Sequence, residues 1–295
     1  MHKKFLMLYY LTAKENCSTT DKPFLLTTAA NMQKKSSIVD ITATVTATNP
    51  ISSDVTVITL HCPEIAERAI PGNFVNIKVN DSTQPLLRRP FSIHRVQGET
   101  IAIMAKSIGR GTAILCNSLP GSTMQVLGPL GNGFTPPDSS FATALLVSGG
   151  IGTAPMFFLE KTLAASGKNV IHIIGGRSSG DLLLHNLSNC RTATDDGSTG
   201  FLGTAVDLLR HDLPELRQNG PLKVFSCGPN AMLRALAKFC REQNIPCEVS
   251  LESVMGCGIG ICYGCSIEVN APDGGTETIL LCREGAVINA ERLVL

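Results

Sequence analysis

The sequence predicts a β barrel plus α/β fold: an antiparallel barrel, then a parallel α/β sheet, then a cysteine-bearing tail. Three observations carry this reading. From Ile38 to about Pro136 the chain runs in short Thr/Val/Ile-rich segments separated by Gly, Pro and Asn. After the PPDSS stretch at 136–140, apolar strand-length runs alternate with helical ones. Four of the eleven cysteines then fall between Cys257 and Cys282.

In the first part, the segments at 39–49, 55–60, 74–79, 91–96 and 101–106 have strand length and partial period-two alternation. Short strands broken by turn residues fit a barrel or sandwich better than a helical bundle. In the second part, ALLVSGG leads into an apolar helical stretch reaching about Ala165, and VIHIIGG follows as a second strand. AVDLLRHDL reads as a helix, LKVFSCGP as a strand ending in a turn, NAMLRALAKFCREQ as a helix and PCEVSL as a last strand. Strands alternating with helices imply a parallel sheet. The expected boundaries are 1–36 for an extension, 37–138 for the barrel, 139–250 for the α/β domain and 251–295 for the tail.

Composition removes several classes of function. The 295 residues suit about two domains. Lys plus Arg (25) nearly cancels Asp plus Glu (24), so no net positive field draws the chain to nucleic acid. Apolar residues at 43% and charged ones at 17% fit an ordinary globular protein. Phe141–Leu159 is uncharged over 19 residues, but Gly149, Gly150, Gly152 and Pro155 interrupt it, so a strand, turn and helix start are expected and not a membrane span. The first 35 residues hold six Lys against one Glu and one Asp and read as an extension, with Met32 as an alternative start. Clustered, odd-numbered thiols without a clear export signal point to a metal or redox site in the cytoplasm.

The strongest chemical signal is C-x4-C-x2-C-x16-C at Cys257, Cys262, Cys265 and Cys282. Thiolates are soft ligands, and the x4-x2 spacing is that of plant-type [2Fe–2S] sites. Glycines in GCGIGICYGC would let backbone N–H groups approach the sulfides. Zinc stays as an alternative, although a zinc site more often has two C-x2-C pairs and this chain has one. The other motifs are weaker singly. Arg88 and Arg89 precede Pro90, Phe91, Ser92 and His94; alone they read more simply as surface arginines before an edge strand, though an Arg fork also suits a pyrophosphate. Gly109–Thr112 is a glycine loop entering a helix. Gly149, Gly150, Gly152 and Thr153 form a strand–turn–helix that could admit a phosphate, without the G-x-G-x-x-G fingerprint. Cys227, Gly228 and Pro229 end a later strand, where ligand crevices lie, and Cys227 also reads as a small buried thiol.

In this order the motifs resemble the ferredoxin–NADP reductase superfamily and, within it, the electron-transfer subunits of type B dihydroorotate dehydrogenase. The resemblance covers about residues 37–295 and is densest in RRPFSIH, SGGIGTAPM, TDDGSTGFLG, CGPNAMLRAL and CEVSLESVMGCGIGICYGC. It implies FAD at Arg89, Pro90, Phe91 and Ser92, with Met104, Ala105, Lys106, Gly111 and Thr112 completing the site. It implies the [2Fe–2S] cluster on the four tail cysteines and NAD as co-substrate in the α/β half. The partner it implies is an FMN-containing dihydroorotate dehydrogenase catalytic subunit, in a heterotetramer.

A nicotinamide exchanges two electrons as hydride and an iron–sulfur cluster carries one at a time, so a flavin is needed between them. The chain itself has no nucleophile–base constellation, and no catalytic side chain is assigned. Arg177 after the second α/β strand could accept a 2′-phosphate, yet the resemblance favours NAD over NADP. Two other functions fit the motifs: a related subunit delivering electrons to ferredoxin, sulfur or polysulfide, and a zinc-stapled non-catalytic subunit.

Overall fold

The computed structural model describes residues 38–80 and 82–294, so the expected N-terminal extension and Met32 lie outside the described residues. Six strands close the barrel: β1 (Val39–Pro50), β2 (Val55–His61), β3 (Phe74–Lys78), β4 (Arg89–Gln97), β5 (Thr100–Lys106) and β6 (Thr123–Leu130), in the order β1-β2-β5-β4-β3-β6. Two short helices pack on it, α1 (Pro63–Ala66) against β5 and α2 (Arg110–Cys116) against β2 and β5. Period-two alternation builds the interior: Val75 and Ile77 of β3 join Val45, Ile58, Ile93 and Ile103 in the barrel core. Phe74, on the opposite face of β3, packs outward into a different cluster with Leu130, Cys265, Leu281 and Cys282.

β6 carries Gly128 and Pro129, which weaken its strand signal in the sequence. Their place is a bulge. Phe74 faces Leu130 and Asn76 faces Leu127, so Gly128 and Pro129 together oppose Val75. A side chain at residue 128 would come within 2.8 Å of Val75 Cγ1, which explains the glycine.

The second sheet contains β7 (Thr143–Gly149), β8 (Asn169–Gly176), β9 (Cys190–Thr194), β10 (Phe201–Leu202), β11 (Leu222–Cys227) and β12 (Cys247–Ser250), all parallel. Helices α3 (Met156–Ala165), α4 (Ala205–Leu216) and α5 (Asn230–Glu242) connect them. Thr204 starts α4 with a capping box, its hydroxyl accepting from Asp207 N at 3.2 Å while Asp207 Oδ2 accepts from Thr204 N at 3.1 Å. The uncharged run at 141–159 resolves into β7, a 3₁₀ turn and the start of α3, and no described helix is long and apolar enough to cross a membrane.

The expectation that PCEVSL ends the sheet needs correction. After a hairpin of β13 (Ser266–Asn270) and β14 (Thr276–Leu280) and the short α6 (Leu281–Glu284), β15 (Val287–Asn289) pairs antiparallel with β12 and becomes the sheet's edge. At three residues it is too short to give a periodic signal.

A buried ion pair fastens the segment leaving the barrel to the sheet. Lys223 Nζ lies 2.6 Å from Glu248 Oε1, and Glu248 Oε2 accepts from Thr135 N at 2.9 Å. Lys223 also donates to Thr135 Oγ1 at 2.5 Å and sits over the ring of Phe225. Removing one partner leaves the other charge buried and uncompensated. Lys223→Met is therefore expected to cost about 3 kcal/mol in urea unfolding, with the double variant Lys223→Met/Glu248→Gln recovering part of it; a loss under about 1 kcal/mol would contradict this account.

Candidate functional site

The barrel opens where β4 changes partners. Arg89–Ser92 are bonded to β3, through Ile77↔Arg89, Asn76↔Pro90, Val75↔Phe91 and Phe74↔Ser92. Pairing of β4 with β5 begins only at Ile93↔Ile103, beyond which Met104, Ala105 and Lys106 are held by β2 alone. The two strands thus part between the segments that the sequence nominates for FAD. α2 stands beside the opening, and the Arg89 side chain lies across Gly111: a Cβ there would come within 2.8 Å of Arg89 Cζ. Arg89 and Gly111, 22 positions apart, are thereby brought together.

The two arginines divide their work. Arg88 is engaged in a bidentate pair with Asp40, at 3.0 and 2.8 Å. Arg89 donates to the carbonyl of Leu87 and lies against Gly111 in the first turn of α2. Thr112 Oγ1 accepts from the N–H groups of Ile108 and Gly109, at 2.9 and 3.0 Å, which shapes the glycine loop. Met104 and Ala105 are buried in packing, so toward a ligand they offer backbone, while Lys106 pairs with Asp54 at 3.2 Å. Phe91 and Ser92 are half-buried at the parting.

A second opening lies at the C-terminal ends of β7 and β11. These strands are adjacent and in register, Ser148 facing Cys227, although β8 to β10 intervene in sequence. This is a topological switch point, where open α/β sheets bind nucleotides. Gly150 has φ +54, and a Cβ at Gly152 would come within 2.6 Å of Gly228 Cα. One at Gly228 would come within 3.1 Å of Gly149 N, so absent side chains let the two turns touch. Thr153 Oγ1 and Ser148 Oγ are 3.1 Å apart and bind each other beneath the turn. Burial, with Glu252 nearby, pushes the Cys227 thiol up to about 12 and keeps it neutral. Arg177 is exposed and pairs with Asp181 at 3.6 Å.

The four cysteines stand as two pairs. Cys257 and Cys262 share one loop, where Cys257 N donates to Cys262 Sγ at 3.5 Å. Cys265 and Cys282 are buried, with their thiols within hydrogen-bonding reach of each other. These four thiols would hold the metal centre, and soft thiolates at this spacing suit an iron–sulfur cluster. Burial raises the Cys257 thiol, but N–H groups of Ile259, Cys262 and Ile261 aimed at its sulfur outweigh this and bring it down to about 6. Burial and the Cys265 thiol push Cys282 up to about 12. Gly258 (φ +75), Gly260 (φ +83) and Tyr263 (φ +59) take left-handed backbone, which bends the loop so its N–H groups turn inward. The donor set therefore fits an iron–sulfur cluster.

His94 links the two openings, a role its place in RRPFSIH does not announce. Its Nδ1 donates to the Ala154 carbonyl at 2.7 Å and its ring stacks on Phe157 at 5.2 Å, tying β4 to the turn after β7. Burial pushes its pKa down to about 4, against a hydrogen bond that favours the charged form. The unfolded chain takes up this proton near pH 6.5, so between there and pH 4 the unfolded state holds more protons and stability rises with pH. Acidification across that window should remove up to about 3 kcal/mol, and His94→Phe should flatten the slope of urea stability against pH. An unchanged slope in the variant would exclude His94 as its source.

Residues 252–294 match the family described as the iron–sulfur cluster binding domain of dihydroorotate dehydrogenase B. The chain is 36% identical over 239 residues to the dihydroorotate dehydrogenase B (NAD(+)) electron transfer subunit of Desulforamulus reducens, covering 79% of this chain and 89% of the relative. It is 39% identical over 242 residues to that of Geobacillus kaustophilus, covering 78% and 89%. Among solved structures, an NADH-dependent reduced ferredoxin-NADP oxidoreductase superposes with TM-score 0.73 at 25% identity, over 85% of this chain and 88% of that one. A ferredoxin NADP+ reductase from Neisseria gonorrhoeae shares the fold, with TM-score 0.57 at 16% identity over 69% and 91%. With its two parted strands, its switch-point crevice and its paired thiols, the chain belongs to the family of electron transfer subunits of NAD-dependent dihydroorotate dehydrogenase B.

Proposed function

We propose that this chain relays electrons between an FMN-bearing dihydroorotate dehydrogenase catalytic subunit and NAD, in the oxidation of dihydroorotate to orotate during pyrimidine biosynthesis. The observation that carries the reading is that all three motif groups meet the neighbouring strands β5, β4 and β3: β4 and β5 part, His94 ties the parting to the turn after β7, and Cys265 and Cys282 pack with Phe74 of β3. FAD supplies hydride exchange with nicotinamide and single-electron exchange with the cluster.

The chain's own groups bind and place. Arg89, with the loop of Gly111 and Thr112, would hold the FAD pyrophosphate, and Phe91 and Ser92 would border the ring from β4. Backbone of Met104, Ala105 and Lys106 would meet its opposite edge. Gly149, Gly150, Gly152 and Thr153 with Cys227, Gly228 and Pro229 would admit the nicotinamide nucleotide. Cys257, Cys262, Cys265 and Cys282 would hold [2Fe–2S]. The boundaries 37–138, 139–250 and 251–295 serve as the working division among flavin, nucleotide and cluster functions.

The loop around Cys257 and Cys262 exposes Val254 (81%), Ile261 (75%) and Tyr263 (67%). Large apolar groups left in water beside an electron-carrying centre suit a protein partner, and we assign this face to the catalytic subunit in a cytoplasmic heterotetramer.

Two experiments test the reading. Co-purification with the catalytic subunit should yield dihydroorotate-dependent NAD reduction, and Cys262→Ser should abolish it and the cluster's absorption while NADH still bleaches FAD. Ile261→Asp should keep both colours yet weaken the complex at least about tenfold by sedimentation or titration calorimetry. Dihydroorotate-dependent turnover surviving Cys262→Ser would remove the cluster from the route; unaltered affinity in Ile261→Asp would remove this face from the interface.

A further inference from the structure

β3 alternates strictly, so with Val75 and Ile77 inside the barrel, Asn76 must face outward, where the cysteine tail covers it. There it is 0% exposed. An amide in such a place is retained only if it bonds to something. Its Nδ2 donates to the carbonyl of Gly256 at 3.4 Å. Gly258 rests directly on it: a Cβ there would come within 2.9 Å of Nδ2 and 3.2 Å of Leu130 Cδ1. Gly256 and Gly258 flank Cys257, so one side chain from the barrel fixes both neighbours of the first cluster cysteine.

The backbone of Asn76 has a second attachment. It is the ladder partner of Pro90 in β4, at the start of the stretch where β4 leaves β5, and its carbonyl accepts from Arg88 at 3.4 Å. One hydrogen bond and one strand pair therefore separate the Cys257 loop from the wall of the flavin opening. The Asn76 Oδ1 has no hydrogen-bond partner among the described residues. The Asn76 Nδ2 pulls on the carbonyl of the Gly256–Cys257 peptide, whose N–H, at the other end of that peptide, donates to Cys262 Sγ at 3.5 Å.

We propose that Asn76 is a positioning residue that couples the cluster to the flavin: it holds the Cys257 side of the loop against β3 and turns a positive dipole end toward it. The proposal rests on the cofactor reading above. Pulling on the Gly256 carbonyl makes the Cys257 N–H a stronger donor to Cys262 Sγ, and a donor on a cluster sulfur favours the reduced, more negative form and raises its potential. Among the described residues the Asn76 side chain bonds to the cysteine loop and to no residue of the NAD crevice, so hydride exchange between NADH and FAD is expected to be independent of it.

The test compares the anaerobic full-length protein with Asn76→Leu, which keeps approximate size and loses the amide, and Asn76→Ser, which keeps a short donor and leaves room for water. Cluster potential is read by paramagnetic resonance during a redox titration, and cluster and flavin reduction by stopped-flow absorbance after mixing with NADH. The expected result is an unchanged rate of FAD reduction, a lowered cluster potential, and cluster reduction slowed at least about tenfold in Asn76→Leu, with Asn76→Ser between the two. Unchanged potential and cluster reduction in Asn76→Leu would overturn the proposal. If Asn76→Leu fails to load a cluster, Asn76→Ser decides it: wild-type potential there overturns the proposal, and a lowered one supports it. Absence of any cluster signal in the wild type would instead defeat the cofactor reading itself, so the two failures are distinguishable.

Discussion

β4 is bonded to β3 along Arg89–Ser92 and to β5 only from Ile93 onward, and that exchange of partners within one strand organises what surrounds it. A closed barrel has no free edges, so a ligand that needs backbone hydrogen bonds can enter only where neighbouring strands separate. The bulge between Ile93 and Arg95 helps turn the strand at this point, aiming His94 out of the barrel and into the turn after β7. Lose that pairing change, and the opening between β4 and β5, the latch to the turn after β7 and the strand beneath the cysteine loop lose their common support.

Electron transfer imposes its own constraint, since cofactors must keep close and constant separations while substrates come and go. The molecule meets it with polar contacts inside apolar packing. His94 joins β4 to the nucleotide turn, Lys223 and Glu248 fasten the segment at Thr135, and Asn76 meets the cysteine loop. Each is a buried polar group, which costs free energy unless satisfied and so favours one arrangement over alternatives. Around them lie continuous apolar clusters; the largest runs from Phe74 and Leu130 to Cys265, Cys282 and the helices of the sheet. Stability and cofactor placement are thus properties of the same contacts.

Much of this was legible in the sequence, for physical reasons. Period-two alternation marks strands that have one face in a barrel core, and all five of the quoted runs form strands there. The thiol spacing showed the ligand chemistry, because loop length limits which cysteines can meet. What escaped was tertiary. β6 hid behind Gly128 and Pro129, which the bulge opposite Val75 accommodates. β15 is too short to show a period. Asp40, not the local sequence, decides which of Arg88 and Arg89 is spent on an ion pair. His94 and Asn76 read as ordinary strand residues until the elements packed on them are known. Groups whose role lies in joining two elements leave no pattern within either one.

The electron route proposed for this chain requires the two thiol pairs to hold a redox-active centre within reach of a flavin. The most direct measurement is low-temperature paramagnetic resonance of the anaerobically purified chain before and after NADH, beside iron and acid-labile sulfide analysis. The account predicts a silent oxidised sample with equal amounts of iron and sulfide, and on NADH addition the signal of a half-reduced diiron centre. Material that contains zinc in place of iron, or iron that NADH never renders paramagnetic in flavin-replete protein, would contradict it.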